Sequence, residues 1–232
     1  MCRFLTNFTL QRNKIYSVWR NYFIRKCIFL HKNVSFVLNC KLKMKNIAIF
    51  ASGSGSNAEN IAGYFEGSDV ARISLIVCNK ADAYVFERAK RLGIPSRLVT
   101  KADMADSEAV MSLLKSYNID FIVLAGYLLL VPKYLVDAYP RAIVNIHPAL
   151  IPLHCGKGMY GDRVHEDVIK CGDKESGITI HYVNEFFDNG DIIFQATCPV
   201  EEGDDAHAVA TKVHALEYAH FPRVIGEAIA AL

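Results

Sequence analysis

No two cysteines of this 232-residue chain are spaced Cys-x-x-Cys. The seven present (Cys2, Cys27, Cys40, Cys78, Cys155, Cys171 and Cys198) are odd in number and scattered. That pattern argues against a disulfide framework and against a zinc site of the usual spacing. It suits reduced thiols in a cytoplasm. The uncharged run Phe121–Pro132 has 12 residues, well short of the ~20 that span a membrane. Repeats and low-complexity tracts are missing as well. A hydrophobic fraction of 52% excludes a disordered chain. The length suits one α/β domain with a sizeable core.

Acidic residues are absent from residues 1–43, which hold nine of the 26 Lys/Arg and the only tryptophan, Trp19. Residues 44–232 therefore keep 17 basic and all 24 acidic residues, a net charge of −7. An acidic body argues against a nucleic-acid partner. Three readings of residues 1–43 stay open. A transit peptide also lacks acidic residues, but only three Ser/Thr precede Ser35 and no clean amphipathic period is visible. A basic arm would bind nucleic acid. The favoured reading is upstream sequence translated from a start assigned too early, because Met44-Lys45-Asn46 leads at once into a strand. The expected organisation is a basic extension over 1–43, without ordered structure, and one domain over 44–232.

From Met44 the apolar pattern alternates strands with helices. Asn46–Ala51 is a short apolar strand, followed by Ser52-Gly53-Ser54-Gly55-Ser56-Asn57 and a helix through Phe65. A glycine-rich turn between strand and helix binds anions, because free backbone N–H groups and the helix dipole meet there. Ser56 or Asn57 is expected to cap the helix. The turn lacks the lysine of a P-loop and the third glycine of the dinucleotide fingerprint, so the phosphate of a smaller molecule fits better. The alternative is a tight turn that only caps a helix. Further strands are expected at 72–78, 96–99 and 120–125, with helices at about 84–92 and 104–117. This order means a Rossmann-like, mostly parallel sheet with helices on both faces and ligands beyond the carboxyl strand ends. After a helix at about 162–170, strands at 177–183 and 192–199 form an antiparallel hairpin with an acidic connection. A last helix from about Asp205 is expected to be interrupted by Pro222.

Val144-Asn145-Ile146-His147-Pro148 reads as a strand end. Alternate residues share a face, and Pro148 keeps His147 extended, so Asn145 and His147 project side by side. An amide donor beside an imidazole can stabilise an oxyanion and move a proton. The plainer reading is two polar residues bonding the following loop. His154, His165, His207, His214 and His220 read as surface or packing residues, and His181 as support for the site. None has metal-ligand spacing, so no metal is expected.

Six stretches carry a resemblance in order: Ser52–Asn57, Cys78–Ala83, Leu124-Ala125-Gly126-Tyr127, Asn145–Pro148, Gly177–Val183 and Asp188–Ile193. Together they resemble the phosphoribosylglycinamide formyltransferases, folate-dependent enzymes of purine synthesis, over essentially all of 44–232. The resemblance implies a catalytic trio of Asn145, His147 and Asp188. It implies a phosphate site at Gly55, Ser56 and Asn57, and a ribose contact at Glu217. Leu124 and the stretch Leu128, Leu129, Leu130 and Val131 correspond to the wall that takes the pterin of 10-formyltetrahydrofolate. The implied partners are that folate and glycinamide ribonucleotide, with no metal, nucleic acid or membrane, in a cytoplasmic monomer or homodimer. Two departures stand out. Leu129 occupies a position where many members carry Arg or Lys, and the loop 155–161 is longer than in some.

The chemistry suits these residue types. Formyl transfer to a primary amine passes through a tetrahedral oxyanion, and the substrate's own amine is the nucleophile, so no Ser or Cys nucleophile is required. Two relatives share the trio. Formyltetrahydrofolate deformylase is expected to carry an N-terminal regulatory domain, for which 1–43 is too short, and usually has a second His where Pro148 stands. Methionyl-tRNA formyltransferase is expected to carry a C-terminal basic domain. A non-enzymatic Rossmann-like binding protein would leave the trio without a role.

Overall fold

The computed structural model describes residues 44–232; the expectations for 1–43 concern residues outside that range. Seven strands form one sheet: β1 (Lys45–Ala51), β2 (Ala71–Cys78), β3 (Ser96–Leu98), β4 (Phe121–Leu124), β5 (Ile143–His147), β6 (Glu175–Tyr182) and β7 (Ile192–Pro199). Their order is β3-β2-β1-β4-β5-β6-β7. The first five are parallel; β6 and β7 run antiparallel. The expected Rossmann-like sheet with a C-terminal hairpin is therefore present. Six helices flank it: α1 (Ser56–Phe65), α2 (Val85–Leu92), α3 (Ser107–Ser116), α4 (Lys133–Ala138), α5 (Asp162–Cys171) and α6 (Ala206–Ala230).

β1 explains the layering. Ile47, Ile49 and Ala51 join one core cluster with Ala58, Ile61 and Phe65 of α1 and Val213 and Phe221 of α6. The alternate residues Ala48 and Phe50 join a second cluster with Val110 and Leu114 of α3 and Leu135 of α4. With both faces covered, a parallel strand reads as a continuous apolar run. Between β1 and β4 the winding reverses direction, which opens a crevice at the carboxyl strand ends.

Three local expectations are corrected. The helix expected over 104–117 is a 3₁₀ turn at Asp103–Ala105 followed by α3, because the Asp106 side chain accepts from the Ala109 N–H at 3.0 Å and starts a new helix. No side chain caps α1; Gly55 takes the N-cap position, so Ser56 and Asn57 are freed for other partners. Pro222 does not interrupt α6. It cannot donate to the Tyr218 carbonyl, and the Asn60 side-chain amide of α1 supplies that bond instead, at 3.0 Å. The short helix α4 carries no strong periodicity in the sequence. Among the described residues, no helix is long and apolar enough to cross a membrane.

Candidate active site

Three strand ends are tied together before any ligand is considered. The Ser52 N–H after β1 donates to the Gly126 carbonyl after β4, at 3.0 Å. The Ser52 hydroxyl donates to Asn79 Oδ1 beyond β2, at 2.5 Å, and accepts from the Leu128 N–H at 2.9 Å. Serine serves here because it gives and receives with one short side chain. The joined ends floor a cleft of about 510 Å³.

One wall is the glycine loop. Gly55 has φ 77°, and a Cβ there would lie 2.4 Å from the Val85 side chain of α2. Glycine is required at this point by conformation and by contact. At Gly53, by contrast, a Cβ would meet nothing within 4 Å. The first N–H groups of α1 have no side-chain cap and open on the cleft, which is the arrangement an anion needs. Asn57 points sideways, donating to Glu217 Oε2 on α6 at 2.9 Å. His214, one turn earlier on α6, lies 2.9 Å from the same oxygen, and that contact raises its affinity for a proton. Glu217 is buried and lines the cleft.

The opposite end holds the side-chain cluster. β5 and β6 pair Asn145 with His181 and His147 with Thr179. Asp188 arrives from the turn between β6 and β7, where it has φ 48°. Gly190 lets that turn close: a Cβ there would lie 1.7 Å from the Tyr182 carbonyl oxygen. The Asp188 carboxylate accepts from the Gly156 N–H at 3.0 Å and from Asn145 Nδ2 at 3.3 Å. Its Oδ2 stands 3.5 Å from His147 Nδ1. Asn145, His147 and Asp188 thus converge.

Hydrogen bonds decide the tautomers. His147 Nε2 lies 2.8 Å from the His154 carbonyl oxygen, an acceptor only, so Nε2 carries the proton and Nδ1 faces Asp188. His181 Nδ1 lies 2.8 Å from the Tyr182 carbonyl oxygen, so its Nε2 is free to accept from Asn145 Nδ2 at 3.1 Å. His181 supports the site, as expected. Burial pushes the His147 imidazole below its ordinary pKa, with Asp188 and the His154 carbonyl offsetting only part of that. Burial opposes ionisation of Asp188, yet the donors around it, the Gly156 N–H among them, outweigh burial and hold the carboxyl below its usual range. A neutral imidazole therefore faces a carboxylate.

Of the residues expected at the folate wall, Leu128 lines the cleft. Leu124 and Val131 are buried in the core behind it, Leu129 packs on that core, and Leu130 is exposed. His165 and His214, read from sequence as surface or packing residues, also line the cleft. The i, i+3 spacing of His214 and Glu217 on one helix face was the available signal for the first pair; nothing local marked His165.

These features define a Rossmann-like α/β domain whose switch-point cleft joins a glycine loop and uncapped helix start to an amide–imidazole–carboxylate cluster. The sequence model of the formyl transferase family matches residues 45–225, and the chain belongs to that family. It is 40% identical over 190 residues to a chloroplastic phosphoribosylglycinamide formyltransferase of Arabidopsis thaliana, covering 79% of this chain and 65% of that protein. It is 36% identical over 187 residues to phosphoribosylglycinamide formyltransferase of Bacillus subtilis, covering 78% and 93%. The chain thus spans just under two thirds of the plant relative and most of the bacterial one. The crystal structure of phosphoribosylglycinamide formyltransferase from Bacillus halodurans superposes with a TM-score of 0.72 at 37% identity, covering 79% of this chain and 94% of that one.

Proposed function

We propose that this chain transfers the formyl group of 10-formyltetrahydrofolate to the amine of glycinamide ribonucleotide, in purine synthesis in the cytoplasm. The observation that carries the reading is one cleft with uncapped helix N–H groups at one end and Asn145, His147 and Asp188 at the other. In this scheme the phosphate takes the α1 N–H groups at Gly55, Ser56 and Asn57, and Glu217 takes the ribose hydroxyls. The pterin lies against Leu128, on a wall backed by Leu124, Leu129 and Val131, with Leu130 at its exposed edge.

The amine nitrogen attacks the formyl carbon, and the carbonyl oxygen becomes an oxyanion. Asn145 donates to it; such a donor is worth about 10²–10³ in rate. Both amide protons of Asn145 are engaged, by His181 and Asp188. Substrate must therefore displace the longer, 3.3 Å bond to Asp188. His147 Nδ1 and Asp188 Oδ2 are two acceptors facing one space, so an attacking amine that gives up a proton satisfies both. The proton then passes to the folate nitrogen as its bond to the formyl carbon breaks. No metal is required by these steps.

The test is release of tetrahydrofolate from 10-formyltetrahydrofolate by purified protein, with and without glycinamide ribonucleotide. Release that requires the amine is the expected result. Release without it would mean a deformylase.

A further inference from the structure

A second cluster lies outside the cleft, where the loop after β5 meets α5. His154 Nδ1 is 2.7 Å from Asp167 Oδ2, and its Nε2 is 2.5 Å from Asp173 Oδ2. Asp167 and Cys171 stand one turn apart on α5, so their side chains share a face. One ligand atom each from His154, Asp167 and Cys171 lies within 4.8 Å of the others. None of these side chains takes part in the proposed transfer.

We propose that His154, Asp167 and Cys171 bind a zinc-class divalent cation, with Asp173 orienting the imidazole. Nitrogen, carboxylate oxygen and thiolate sulfur form a donor set that zinc accepts, and three protein ligands leave a fourth, open position. A metal-bound histidine typically donates its other N–H to a carboxylate. Asp173 stands at Nε2, which leaves Nδ1 for the ion. Two carboxylates and a thiolate supply the negative charge, and both aspartates already stand against the imidazole. The imidazole is nearly buried whereas Cys171 is exposed, so the site has a fixed inner ligand and an entry side. Zinc–ligand bonds of about 2.0–2.3 Å put ligand atoms about 3.3–3.8 Å apart, so the ion requires Asp167 to draw back from its 2.7 Å contact with His154 as it enters. The His154 carbonyl holds His147 Nε2, so an ion on this side chain reaches the imidazole of the cleft through one residue.

Cobalt(II) is the probe, added to the metal-free full-length chain, because a thiolate–cobalt band reports sulfur coordination. One ion per chain is expected, displaced by zinc. Cys171→Ser should abolish the band with the melting temperature unchanged, since the residue is exposed. Asp173→Asn should weaken binding about tenfold, as removal of an orienting carboxylate does. Zinc should also slow alkylation of Cys171, located by peptide mapping. A band that survives Cys171→Ser would assign the metal to other thiols and overturn the proposal, as would absence of cobalt binding or alkylation of Cys171 indifferent to zinc.

Discussion

The two ends of the cleft are built in opposite ways. The end proposed to take the phosphate offers backbone N–H groups from one contiguous stretch, and its geometry is set by Gly55 and the start of α1. The cluster at the other end uses side chains from β5, β6 and the turn at Asp188, separated by up to 43 residues. A backbone site tolerates many side chains but few backbone changes. A side-chain site is the reverse: the chain path survives substitution while the chemistry does not. Each end therefore has its own failure mode.

The largest effects belong to the cluster. His147→Ala and Asp188→Asn should each cut turnover by about 10²–10⁴ while folate binding stays near normal. The double variant should be little worse than either, because groups acting as one unit are not additive. Single-turnover rates that multiply would split the pair. Asn145→Ala should lower turnover by a separate factor of about 10²–10³, since it acts on the oxyanion.

The anion end should respond differently. Gly55→Val must place a β-branched residue at φ 77° and against Val85, costing at least ~1–2 kcal/mol from the left-handed backbone alone. It should appear first as a lower melting temperature, so it reports on folding more than on phosphate binding. Gly53→Val is the sharper probe, because the space beside Gly53 is open. It should raise KM for glycinamide ribonucleotide and leave KM for the folate and the melting temperature nearly unchanged. Equal changes in both KM values would remove the loop from the phosphate site.

Acidity gives a smaller, graded test. His147 is held neutral by burial, and Asp188 is held ionised by the N–H donors around it. Turnover should therefore persist as pH falls through the ordinary imidazole range, and the acid limb should lie below it. Stability follows the same sign. A depressed Asp188 pKa contributes stability above the unfolded carboxylate value, and that stability is lost as pH falls through the folded value. Asp188→Asn should remove this part of the acid dependence of melting. The smallest effect is expected from residues 1–43. A chain beginning at Met44 should match the full chain in turnover and melting temperature, and a large loss of either would give that segment a role.

What sequence alone determined here was local. The turn Ser52–Asn57 lies between an apolar strand and a helix, and strand alternation put Asn145 and His147 on one face; both follow from backbone geometry over a few residues. The doubly wound order was legible because buried parallel strands read as uninterrupted apolar runs between helices. Tertiary structure decided the rest. α6 continues through Pro222 because Asn60, 158 residues away from Tyr218, fills the missing bond. His165 reaches the cleft only when α5 packs on α6, and Asp188 meets His147 only when the hairpin pairs with β5. His154, Asp167 and Cys171 have no recognisable ligand spacing along the chain and become neighbours only through the packing of one loop on one helix. Contacts of that kind depend on the summed packing of distant segments, which no short stretch of residues encodes.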